Sequence, residues 1–114
     1  MTISMGPFDR LLCVIGGLAL LVMASSMSRA DDITAGQKLV EDNCSRCHAI
    51  GMTGDSPLAK APPFREVVKR YPPSSLGEAL VEGIVTGHNE MPEFVFESDQ
   101  AMEIIAYLDS LKAK

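Results

Sequence analysis

Cysteine is scarce in this chain: three residues in 114, one of them Cys13 inside an apolar leader. Leu12 precedes Cys13 where a lipid-attachment site calls for a small residue, so Cys13 reads as apolar filler. Cys44 and Cys47 are too few to make a disulfide framework. Histidine is scarcer still, at two. Beyond His48 only His88 remains, so a four-donor zinc site would have to be completed by carboxylates. Basic residues are outnumbered, 10 against 15 acidic, for a net charge of −5. That balance argues against nucleic acid or an anionic membrane as partner. No period-two run is long enough for a sheet, and Phe94-Val95-Phe96 is the only β-like patch. The βαβ setting that a thioredoxin-type dithiol needs is therefore missing. No nucleophile stands beside a base in a catalytic pattern, and the chain carries neither an internal repeat nor a low-complexity tract.

Long apolar runs are also few. Leu11 to Ala24 is an uncharged, mostly apolar stretch of 14 residues, short of the roughly 20 that span a bilayer. It suits the h-region of a secretory signal, and Ser28-Arg29-Ala30 supplies small residues at −3 and −1 of a cleavage site after Ala30. Residues 1–30 are read as a signal peptide and 31–114 as one domain, with no stable membrane insertion and a periplasmic destination. The n-region is weak, since Asp9 offsets Arg10, and a retained anchor is the alternative. Cleavage would remove Arg10, Arg29 and Asp9 and take the net charge from −5 to −6 over 84 remaining residues. So short a chain has a marginal side-chain core.

What is present is helical. Thr34-x-x-Gln37 suggests a capping box opening the first helix, with Leu39 and Val40 following. Pro63 fits N1 of a second helix, whose Phe64, Val67, Val68 and Tyr71 fall at i, i+3, i+4 and i+7. Ser75-x-x-Glu78 suggests a capping box for the third, with Gly87 closing it. Ser98 is a natural N-cap for the fourth, with Asp99 in its first turn. Ala101, Ile104, Ile105, Leu108 and Leu111 line the apolar side of that helix. The fold class is all-α.

Cys44-Ser45-Arg46-Cys47-His48 carries the chemistry. C-x-x-C-H is a c-type haem attachment pattern: two thiols add across the porphyrin vinyl groups, and the adjacent histidine is held under the iron. One covalent haem c would also supply the buried apolar bulk that a small domain lacks. The sequence offers three thioethers for the opposite face. Met52 is tethered too closely to His48 to pass around the ring. Met102 falls in the apolar period of the last helix, where core packing is expected. Met91 sits in the turn-rich Gly87-His88-Asn89-Glu90-Met91-Pro92 segment, stiffened by Pro92, and is the expected sixth ligand. His88 is the rival donor and would lower the potential. Phe64, Phe94 and Ile84 are expected to serve core and haem pocket at once.

Residues 31–114 as a whole resemble a small monohaem class I cytochrome c of bacterial type. The resemblance rests on CSRCH, Ala61-Pro62-Pro63-Phe64, GHNEMPEF and Ile104-Ile105-Ala106-Tyr107-Leu108. It implies about four helices around one haem, with the N- and C-terminal helices crossing at Gly36 and Tyr107. It also implies that Pro62 gives its carbonyl to the Nδ1–H of His48, although Ala61 stands where many members have glycine. The implied function is one-electron transfer between redox proteins, as a monomer or as the haem subunit of a periplasmic dehydrogenase complex. A five-coordinate gas-binding haem is the reading from another class. Residues 60–70 are rich in base and 90–103 hold only acids, which suggests that the acidic side steers a basic partner.

Overall fold

The computed structural model describes residues 28–83 and 90–112. The chain divides into two compact units, Met1–Ala30 and Asp31–Lys114. In the first unit, residues 28–30 are helical. The second unit is helical throughout its ordered secondary structure, with no strand among the described residues. Its helices are α1 (31–44), α2 (Phe64–Arg70), α3 (Gly77–Glu82) and α4 (Ser98–Ser110), with a 3₁₀ turn at Pro73–Leu76 before α3.

The helix ends depart from the sequence expectations in ways the backbone explains. Thr34 lies inside α1 rather than at its start, and residues 28–33 hold no glycine or proline to stop the helix. Pro63 is the N-cap of α2, not N1, because its ψ of 143° is extended. Its carbonyl already accepts the Glu66 and Val67 N–H groups at 2.9 and 3.1 Å, as an N-cap carbonyl does. Tyr71 drops off the apolar face of α2: it is extended and 59% exposed, as the residue before Pro72 must leave helical geometry. The Ser75–Glu78 box does not form, since Ser75 Oγ donates back to the Pro72 carbonyl at 2.7 Å within the 3₁₀ turn. Gly83, at φ +107°, ends α3, four residues before Gly87, which lies outside the described residues. Ser98 is the first helical residue of α4 and Glu97 its cap. The Glu97 N–H donates to Gln100 Oε1 at 3.1 Å.

α4 organises the core. Ala101, Ile104, Tyr107, Leu108 and Leu111 are buried along one face and pack with Val40, Val68, Leu80 and Phe96. α4 contacts α2, the 3₁₀ turn and α3. Where α1 meets α4 the backbones touch: a Cβ on Gly36 would overlap the Glu103 carbonyl and come within 3.0 Å of Tyr107 Cβ. The β-like patch is irregular chain. Phe96 turns inward, its N–H donating to Leu80 at 2.9 Å and its ring stacking on Phe94 at 6.0 Å.

Met102 reverses the expectation of a core position. It is 66% exposed, because the buried stripe runs through 101, 104, 108 and 111, and residue 102 falls one helical step to its side.

Candidate functional site

The segment after α1 is folded by its own backbone before any side chain acts. The Cys47 and His48 N–H groups both donate to the Cys44 carbonyl, at 3.1 and 3.0 Å, which turns the two thiols and the imidazole toward one side. The loop that follows is pinned at several points. Leu58 N–H donates to Cys47 O at 3.1 Å and Phe64 N–H to Ala49 O at 2.9 Å. Ser56 Oγ accepts the Ala49 N–H at 3.0 Å, and the Arg65 guanidinium donates to the Gly54 carbonyl at 2.8 Å. Tyr107 reaches across from α4 to donate to the Ile50 carbonyl at 2.9 Å.

These ties shape a cavity of about 460 Å³, within the range of small-molecule and cofactor sites, lined by Cys44, Cys47, His48, Pro62, Phe64, Met91 and Phe94 among others. His48 Nδ1 lies 2.8 Å from the Pro62 carbonyl oxygen. A carbonyl only accepts, so Nδ1 carries the hydrogen and Nε2 is left with its lone pair as the donor for a metal. The Phe64 ring rests against the imidazole, with centroids 4.8 Å apart. Burial, with the Cys47 thiol beside it, pushes the Cys44 thiol up to about 11. At neutral pH it therefore stays protonated, the form less prone to oxidation.

All the candidate site residues from the sequence, Cys44, Cys47, His48, Pro62, Phe64, Met91 and Phe94, share this one cavity. Met52, 38% exposed, does not line it. His88 and Ile84 lie outside the described residues. Sequence reasoning did not find Arg65 as a clamp on the loop carbonyls, nor the Tyr107–Ile50 bond. No short pattern signals contacts between residues so far apart. Among the described residues no group of three or more His, Cys, Asp or Glu is placed to hold a metal ion.

Comparison with known proteins decides the family. The family model described as cytochrome c oxidase, cbb3-type, subunit III matches residues 31–108. The chain belongs to the small monohaem c-type cytochromes. It is 32% identical over 96 residues to cytochrome c-552 of Bradyrhizobium diazoefficiens, covering 83% of this chain and 90% of that one. It is 29% identical over 99 residues to cytochrome c6 of Thermosynechococcus vestitus, covering 85% and 86%. No solved structure gives a significant match. The cytochrome is an electron-transfer protein whose cofactor is a covalently bound haem c with iron. The cavity fits that group: it presents two thiols three positions apart, an imidazole whose free nitrogen is Nε2, and a thioether, between aromatic walls.

The Tyr107 bond makes the cytochrome sensitive to alkali. Burial first, and the negative charge of Glu41 second, hold the phenol above its ordinary value of 10.0. A raised acid favours the protonated fold, so its contribution is complete below about 10. It is lost as pH rises through the folded value. Tyr107→Phe should cost about 1 kcal/mol at neutral pH and flatten the alkaline fall in stability. Urea melts from neutral to strongly alkaline pH measure both; identical alkaline slopes in the two proteins would contradict this role for the phenol.

Proposed function

We propose that the cytochrome is a periplasmic one-electron carrier in which Cys44 and Cys47 hold the haem by thioether bonds and His48 and Met91 are the axial ligands. The observation that carries this reading is the His48–Pro62 hydrogen bond at 2.8 Å, in a cavity that also contains both thiols and Met91. That bond fixes the imidazole's tautomer and raises its donor strength. When bound, the group supplies a reversible single-electron couple. The chain's own part is to keep both axial positions filled, so that no site is open to substrate, and to change shape little between oxidation states. Thioether opposite imidazole favours the reduced state more than a second imidazole does.

The leader, residues 1–30, is read as a signal peptide cleaved after Ala30. Two observations support this: the family match begins at residue 31, and the chain divides into units at the same place. No helix among the described residues is long and apolar enough to cross a membrane. Glu93, Glu97 and Asp99 are exposed on the Met91 side of the chain, beside Glu90, which is paired with Lys60. They steer a basic redox partner toward the cavity mouth. The matched family's description as an oxidase subunit favours work on a larger redox enzyme as a second setting for the same chemistry.

Holoprotein recovered from the periplasm tests this reading. Its intact mass should equal residues 31–114 plus one haem. The ferric form should show the weak far-red absorption of Met–S ligation, and the ferrous form should not bind CO. Electron transfer to a basic partner should slow as salt rises. Ready CO binding together with no far-red band would point instead to a five-coordinate gas-binding haem.

A further inference from the structure

Lys60 and Glu90 stand 30 residues apart in sequence, yet both line the cavity, and Lys60 Nζ reaches Glu90 Oε1 at 3.5 Å. Their positions matter more than their charge. Lys60 lies two residues before Pro62, whose carbonyl holds His48. Glu90 immediately precedes Met91. The pair therefore joins the segment that orients one axial donor to the segment that carries the other.

The Met91 segment has few other polar ties. Among the described residues, the stretch from Glu90 to Val95 has one hydrogen-bonded or ionic tie to the rest of the fold, the bond from Lys60. The next comes only at Phe96, whose N–H donates to Leu80 at 2.9 Å. Apolar packing holds the far end of the stretch at Phe94, which packs against the core and stacks on Phe96, but Pro92 and Glu93, next to Met91, are exposed. A thioether is a weak, neutral donor to ferric iron. Its persistence then depends on how often the segment carrying it swings away.

We propose that the Lys60–Glu90 ion pair is a strap across the mouth of the haem cavity that holds the Met91 segment in place and sets how readily another ligand displaces Met91. The proposal rests on Met91 being the sixth ligand. The two side chains are mostly exposed, at 78% and 61%, so the strap is weak and salt-sensitive. That suits a segment which must stay closed in the carrier without being locked.

Imidazole binding to the ferric holoprotein tests it. At saturating imidazole the observed rate is limited by Met91 leaving. Glu90→Gln and Lys60→Gln should each raise that limiting rate about two- to fivefold, the range of a surface ion pair. The exchange of charges, Lys60→Glu together with Glu90→Lys, should restore it to near the natural value. Raising NaCl to about 0.5 M, where the Debye length is about 4 Å, should speed the natural protein and leave Glu90→Gln unmoved. Both single variants should keep the far-red Met–S band, since Met91 still binds at equilibrium. Unchanged rates in both single variants, or a charge exchange that fails to restore, overturn the strap. Failure of the Met91 reading looks different: the natural protein would lack the far-red band and bind imidazole as fast as Met91→Ala, which removes the strap along with its premise.

Discussion

Met91→Ala should abolish the far-red band of the ferric protein, turn its spectrum high-spin and open the ferrous protein to CO. The reason is competition. With Met91 as the proposed sixth ligand, an incoming ligand would first have to displace the thioether, and every 1.4 kcal/mol of that competition is a factor of ten in affinity. Removing the side chain should raise imidazole affinity by at least about tenfold and lower the reduction potential, since thioether ligation favours the ferrous state. The fold should survive, because Met91 is only half-buried and stands outside the cluster built on α4. Spectra of both oxidation states with an imidazole titration decide the matter. A low-spin spectrum unchanged by the substitution would assign the sixth position to another donor, with His88 the first to examine.

Gly36→Ala should lower the melting temperature of the holoprotein by about 8–16 °C. Two effects oppose each other. Alanine is better than glycine in a helix interior by about 1 kcal/mol, so at an open position this change would stabilise. At Gly36 the added Cβ would overlap the Glu103 backbone carbonyl and crowd Tyr107 Cβ. Backbone cannot rotate aside as a side chain can, so α1 and α4 must move apart, at about 3 kcal/mol for overpacking. The net loss of about 2 kcal/mol converts at 4–8 °C per kcal/mol for a domain of this size. Thermal melts followed by circular dichroism measure it. A rise of a few degrees would mean that helix propensity wins and that the crossing is looser than described.

Much of the local structure was readable because its causes are local. The helical periods of α2 and α4 mark their buried faces through residues three and four apart, and Ala101, Ile104, Leu108 and Leu111 are buried as that spacing requires. Helix ends were read less well. Ser75, Pro63 and Ser98 each carry the chemistry of a cap. Which residue caps depends on backbone angles set by neighbouring prolines and by the chain's return to the core, as the 3₁₀ turn before α3 illustrates. Met102 was misplaced for a similar reason: a methionine near an apolar stripe counts toward the pattern, but its angle about the helix puts it in solvent.

By itself the sequence marked the candidate attachment site. Cys44, Cys47 and His48 are consecutive enough that one turn of backbone brings them together, so spacing alone suffices. Tertiary structure decided everything that completes the site. It placed the Pro62 carbonyl on His48 across 14 residues, Tyr107 on the haem loop across 57, and Met91 in the same cavity as the thiols. It also paired Lys60 with Glu90 across that cavity's mouth, where the composition shows only a basic segment and an acidic one. Contacts at such separations depend on how helices cross: the resemblance pointed to Gly36 and Tyr107 as the crossing, but the closeness of the backbones there is a fit of surfaces that only the three-dimensional structure shows.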